Sequence, residues 1–172
     1  AGVRILRGIP MAADGSRISV TNNFQGIYVS TDFGNTWTTK TAGSTGGMLT
    51  FSNIVMSADG SKQIAMGTDG ITTDGMYIST DSGNTWTLKV VDAVVTKYGF
   101  YKMAMSPDGS KITGVVAHME NVSGGQIYVS LDGGNTWMVR GPAQYWYDIA
   151  ISANGLKQTA VSFGPGAAGS QI

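Results

Sequence analysis

The chain has 172 residues, 42% hydrophobic and only 13% charged, which suits one globular domain with its own core and excludes a disordered chain. Eleven basic residues balance eleven acidic ones with no run of either sign; this speaks against a nucleic-acid partner, and no apolar stretch reaches the roughly 18 residues of a spanning helix, which speaks against membrane insertion. The absence of cysteine excludes disulfides and thiolate chemistry, while 25 glycines, about twice the usual share, suit an all-β protein with many tight turns.

In chain order, the first local signal is Met11-Ala12-Ala13-Asp14-Gly15-Ser16-Arg17, an Asp-Gly turn between apolar strands. Next comes an eight-residue box, Ser30-Thr31-Asp32-Phe33-Gly34-Asn35-Thr36-Trp37. The two signals then alternate. Asp59-Gly60 is followed by Ser79-Thr80-Asp81-Ser82-Gly83-Asn84-Thr85-Trp86, and Asp108-Gly109 by Ser130-Leu131-Asp132-Gly133-Gly134-Asn135-Thr136-Trp137. A degenerate Asn154-Gly155 closes the series. From Trp37 to Trp86 is 49 residues and from Trp86 to Trp137 is 51, so both signals share one period.

Each period holds two hairpins. In the third, a strand from Tyr101 to Ser106 turns at Asp108-Gly109 into one from Lys111 to Val116; Gln126 to Ser130 then enters the box and leaves through Thr136 to Val139. Four strands in roughly 48 residues are the content of one propeller blade. The expectation is an all-β protein, a β-propeller of four-stranded antiparallel blades at about 3–40, 48–90 and 98–140, with a half blade at 145–172: about 3.5 blades of a 6- to 8-bladed ring. Gly169-Ser170-Gln171-Ile172 stand where Gly124-Gly125-Gln126-Ile127 stood one period earlier. Such an open array is expected to be completed by further blades, from a longer chain or from self-association, the former being favoured.

The motif Ser-x-Asp-x-Gly-x-Thr-Trp resembles the Asp-box, or bacterial neuraminidase repeat, of sialidases, sortilin-type receptors, xyloglucan-cleaving glycosidases and a photosystem II assembly factor. It is specific for a turn, not for a reaction. The resemblance implies structural roles for Asp32, Gly34 and Trp37, for Asp81, Gly83 and Trp86, and for Asp132, Gly134 and Trp137. The carboxylate holds the loop shut by accepting backbone N–H bonds, the glycine takes a left-handed conformation, and the indole fills the space beneath the hairpin. The tyrosines at 28, 77 and 128 recur in equivalent places, as do Leu6, Phe51, Phe100 and Trp146, and are expected to pack between blades.

Sialidases in the resembling group use an arginine triad, a Tyr-Glu nucleophile pair and an acidic acid/base residue; this chain has four arginines and one glutamate, Glu120. With the turn aspartates set aside, Asp69, Asp74, Asp92, Glu120 and Asp148 remain, and of these Asp148 and Glu120 are the weak candidates for carboxylate catalysis. His118 is the only histidine, and it and the cluster Tyr145-Trp146-Tyr147 are the candidate ligand-binding residues. No metal site and no cofactor is expected, nor any catalytic constellation. The expected function is a non-catalytic, extracellular or periplasmic binding or assembly module that recognises protein or glycan through loops at 21–26, 40–50, 67–75, 89–98, 117–125 and 140–145. The alternative is a glycoside hydrolase fragment whose catalytic residues lie mostly elsewhere.

Overall fold

The computed structural model describes residues 8–21, 26–40, 50–68, 75–91, 95, 99–116 and 124–162. The expected all-β architecture is present, with thirteen strands in four antiparallel sheets among the described residues. The first sheet contains β1 (Ile18–Thr21), β2 (Ile27–Ser30) and β3 (Thr38–Lys40), and Met11 bridges to Ile18 on its inner side. The second orders β4 (Thr50–Met56), β5 (Gln63–Thr68), β6 (Gly75–Ser79) and β7 (Thr87–Lys89) as they occur in the chain. The third repeats this with β8 (Phe100–Met105), β9 (Ile112–Val116), β10 (Gly125–Ser130) and β11 (Met138–Gln144). The fourth pairs β12 (Trp146–Ile151) with β13 (Gln158–Ser162). Among the described residues no helix is long and apolar enough to cross a membrane.

Burial explains why the middle strands lack polar alternation. All five residues of β9 are buried, as befits a strand covered on both faces, whereas β3 and β7 are mostly exposed outer edges. Residues 140–145, expected as a connecting loop, belong largely to β11, which continues to Gln144. The strand tolerates Pro142 because it is the outer edge and needs no donor on its free side.

The core lies between sheets. Ile27 and Val29 of the first sheet cluster with Phe51, Ile54, Tyr77 and Trp86 of the second. Ile64, Met66 and Met76 of the second cluster with Phe100, Met103 and Ile112 of the third, and Val115, Ile127 and Val129 with Trp146, Ile149 and Ala160 of the fourth. The repeated aromatics also pair inside a sheet: Phe51 meets Tyr77, and Phe100 meets Tyr128, edge to face with centroids 5.7 Å apart.

Polar contacts repeat along the same path. The Ala13 amide donates to the Ala58 carbonyl and the Ala58 amide to the Pro107 carbonyl, at 2.7 and 2.8 Å; Pro107 has no N–H to pass the ladder on. The stems of Arg17, Lys62 and Lys111 lie over Gly60, Gly109 and Gly155 of the following sheet. Two kinds of turn share one rim: the fourth box residue (Phe33, Ser82, Gly133) donates its amide to the carbonyl of the residue after each Asp-Gly pair (Ser16, Ser61, Ser110). The innermost strands therefore begin on the opposite rim.

Candidate functional site

The three boxes have one geometry. In the second, the Asp81 Oδ1 accepts from the Ser79 hydroxyl and the Thr85 amide, both at 2.8 Å, while Oδ2 accepts from the Thr85 hydroxyl at 2.6 Å. The Ser79 hydroxyl oxygen in turn accepts from the Gly83 amide, and the Trp86 indole N–H donates to the Gly83 carbonyl at 3.1 Å. Asp32 and Asp132 hold the same partners with Thr36 and Thr136. Left-handed backbone falls on the glycines at 34, 83 and 134, and also on the residue before each, Phe33 at φ 59°, Ser82 at φ 64° and Gly133 at φ 71°.

These bonds favour the ionised carboxyl. The Thr85 hydroxyl and amide bonds hold Asp81 down at about 2, and the corresponding Thr36 and Thr136 bonds hold Asp32 and Asp132 below the ordinary carboxylate range. At the Asp59 and Asp108 turns the leading cause is a serine hydroxyl, Ser57 and Ser106 in turn, and both carboxyls are held at about 2, while at Asp14 it is the Ser16 amide. Asp14, Asp32, Asp59, Asp81, Asp108 and Asp132 are thus committed to turns on one rim.

The boxes differ in how their indoles are covered. Trp86 is 8% exposed among residues of the first and second sheets, and Trp137 packs on the cluster between second and third, whereas Trp37 is 43% exposed. The Trp137 ring also stands 5.0 Å from that of Phe100 in its own sheet.

The opposite rim carries a feature that residue spacing alone did not reveal. The inner strands β4, β8 and β12 all break register between their first buried aromatic and the residue two further on. The extra residues are Ser52, Tyr101 and Tyr147, and a bulge there turns an additional side chain outward. Tyr101 and Tyr147 are 44% and 53% exposed, and their rings stand 6.0 Å apart at 50°. Beside them, at equivalent places in the three strands, are Asn53, Lys102 and Asp148, and the Asn53 side-chain amide donates to the Tyr101 carbonyl at 3.2 Å.

The sequence-derived candidates distribute unevenly over this rim. Tyr147 and Asp148 stand on it, and Tyr145 is exposed at its margin. Trp146 is 2% exposed within the core, its indole N–H on the Pro142 carbonyl at 3.2 Å, which takes its face out of a ligand's reach. Asp148 accepts from the Ile149 amide at 2.9 Å. His118 and Glu120 lie outside the described residues, as do most positions of the expected recognition loops. Among the described residues every carboxylate except Asp148 sits in a turn on the far rim, so no second described acid faces Asp148 across the inner strands. No group of three or more potential ligands suited to a metal ion occurs among the described residues.

No family model matches the chain, and no curated protein matches it. Solved structures do. An ancestral GH74 enzyme superposes with a TM-score of 0.68 at 14% identity, over 94% of this chain and 24% of the enzyme. YCF48 from Cyanidioschyzon merolae gives 0.64 at 16% identity, over 95% of this chain and 54% of that one. YCF48 bound to D1 peptide gives 0.60 at 12%, over 92% and 46%. The chain therefore has the fold of a β-propeller, its four sheets arranged as successive blades, and spans between about a quarter and about half of these neighbours' length.

Proposed function

We propose that this chain is an Asp-box propeller segment that acts as a non-catalytic, extracytoplasmic binding or assembly module. Its ligand, a protein or a glycan, engages the rim formed by the starts of the inner strands. The Asp-box reading is supported by three boxes with the same carboxylate–threonine–serine bonds, a geometry in which the repeated spacing serves the turn.

The observation that carries the binding reading is the exposed pair Tyr101 and Tyr147, presented by bulges on adjacent inner strands. Two phenol rings side by side offer apolar faces to a sugar ring or an extended peptide, and their hydroxyls offer hydrogen bonds; Lys102 and Asp148 add one charge of each sign next to them. The scaffold repeats while these side chains vary, as recognition on a repeat array requires. YCF48, whose fold this chain resembles, has been captured with a peptide, which supports a polypeptide ligand as one of the two classes.

The test is a glycan array and an extended-peptide array probed with the wild-type chain and with the Tyr101→Ala/Tyr147→Ala variant. Binding on either array that falls at least tenfold in the double variant supports the reading. Undiminished binding by the variant removes the rim from the account. The hydrolase alternative rests on the fold shared with GH74. Release of sugar from xyloglucan or sialosides that is lost in Asp148→Asn or Glu120→Gln would favour it instead.

A further inference from the structure

Five described peptide units join an aspartate or asparagine to a following glycine: Asp14-Gly15, Asp59-Gly60, Asp108-Gly109, Asp132-Gly133 and Asn154-Gly155. Such a unit carries a reaction of its own, because with no Cβ in the way the glycine nitrogen can attack the preceding side chain at Cγ and close a cyclic imide. The fold occupies each of these nitrogens. Gly15 donates to the Ala12 carbonyl, Gly60 to Ser57, Gly109 to Ser106, Gly133 to Ser110 and Gly155 to Ser152. The four aspartates have a second protection: hydrogen bonds from neighbouring amides and hydroxyls hold them ionised, and a carboxylate offers the nitrogen neither an electrophilic carbon nor a leaving group.

Asn154 keeps the turn but not that second protection. Its Oδ1 accepts from the Ser152 hydroxyl at 2.7 Å and the Leu156 amide at 3.0 Å, the bonds that Asp59 and Asp108 make with their own neighbours. A neutral side-chain amide cannot ionise, and Leu156 stands where Ser61 and Ser110 donate a hydroxyl to the carboxylate. The Asn154 Nδ2 therefore has no hydrogen-bond partner among the described residues. The glycine after it is fixed by packing, since its φ is 66° and any Cβ there would run into the Lys111 stem. Asn154 is open to water, as Asp59 and Asp108 are even with a following sheet packed against theirs.

One contact adds activation. The Lys111 ammonium donates to the Asn154 carbonyl at 3.0 Å. That carbonyl and the Gly155 N–H belong to one peptide unit, so a positive charge on the oxygen stabilises the amide anion that attacks Cγ. Among the described residues no cation donates to the carbonyl of the other four units: the Lys62 stem crosses Gly109 but its ammonium lies at Gly133, and the Asp132 carbonyl accepts from the Asn135 side-chain amide. We infer that Asn154 is a site of intramolecular deamidation activated by Lys111. When the exposed turn opens, at the low cost of a local fluctuation, the Gly155 N–H gives its proton to a solvent base and the nitrogen bonds to Cγ. The Cγ–Nδ2 bond breaks and the nitrogen leaves, protonated, as ammonia. Water then opens the imide at either carbonyl, leaving aspartate or isoaspartate. Both products carry a negative charge where the chain had none, giving the fourth sheet the turn carboxylate that Asp14, Asp59 and Asp108 supply in the others.

The test follows the full 172-residue protein, held folded at neutral pH, by peptide mapping and mass spectrometry. Asn154 is expected to convert before Asp14, Asp59, Asp108 or Asp132 isomerises. Lys111→Met and Lys111→Gln, which keep a stem over Gly155 without its charge, are expected to slow the conversion about fivefold in the folded protein and not at all in urea, while Lys111→Arg stays within about twofold of wild type. Two neutral variants are used so that one with the wild-type circular dichroism and melting profile carries the comparison. Conversion of any of the four aspartates ahead of Asn154 overturns the proposal, and so does an unslowed rate in a folded neutral variant. Equal slowing in urea overturns it as well, since the Lys111 contact exists only in the fold.

Discussion

Tyr101 and Tyr147 sit on neighbouring inner strands with ring centroids 6.0 Å apart, each at the point where its strand carries one residue more than its partner. The bulge matters because strict alternation would send every second residue into the core; the additional residue faces outward without disturbing Phe100 or Trp146. Rings this exposed contribute little to folding. Tyr147→Ala is expected to change unfolding free energy by no more than about 0.5 kcal/mol, measured by urea titration, which lets a binding defect be read without a folding defect.

The indoles of the boxes give an internal contrast. Trp86 is enclosed between two sheets while Trp37 is nearly half exposed, although both donate to the glycine carbonyl of their own turn. Trp86→Ala is expected to cost about 3–5 kcal/mol, the range for emptying a buried aromatic site. Trp37→Ala is expected to cost less than half as much, since less apolar area is lost. Chemical denaturation of the two variants side by side checks the order, and equal losses would contradict the assignment of Trp86 to the interface between sheets.

Acid should unfold the protein through its turns. The folded carboxyls of Asp59, Asp81 and Asp108 titrate near 2, below the roughly 3.9 of an unfolded aspartate, so the folded state binds fewer protons between those values. Their contribution is complete above about pH 4 and is lost as pH falls through the folded values. Melting temperature is expected to be flat from pH 7 to about 5 and to drop steeply between 4 and 2. In Asp81→Asn the acid slope should be shallower, because one linked proton is gone.

Gly114 lies under the Phe100 ring, where an added Cβ would meet the ring at 2.7 Å, and Gly67 lies under Phe51 and Tyr77 in the same way. Gly114→Ala is expected to destabilise by about 1–3 kcal/mol through overpacking, and Phe100→Leu in the same chain to recover part of the loss. Thermal melts of the single and double variants measure the coupling. The fourth sheet has Ala160 at this place, in the same core cluster as Trp146.

The repeat made the architecture readable because each turn announces itself in fixed residues: Asp and Gly where the chain reverses, Ser and Thr where the carboxylate needs donors. Phe33 and Ser82 escaped that reading. Both are left-handed, yet neither side chain signals it, and only Gly133 at the third equivalent place does. The rim was harder to read for a different reason. Phe100-Tyr101-Lys102-Met103 and Trp146-Tyr147-Asp148-Ile149 put two residues between successive buried ones, where a regular strand has one. Aligned across periods, that spacing marks a bulge; within one strand it resembles imperfect alternation. For Trp146 the period is the better guide: its place alongside Phe51 and Phe100 predicts packing between sheets, where it lies buried, whereas its membership of an aromatic triplet suggests a ligand platform that its burial rules out.

The binding account stands or falls on which surface a ligand touches. Backbone NMR of the isotopically labelled chain, titrated with the strongest probe from the glycan or peptide array, maps that surface directly. The account predicts shift changes concentrated at Ser52, Tyr101, Lys102, Tyr147 and Asp148, abolished in Tyr101→Ala/Tyr147→Ala. Changes confined to the turn rim around Asp32, Asp81 and Asp132, with the double variant binding as wild type, would contradict it.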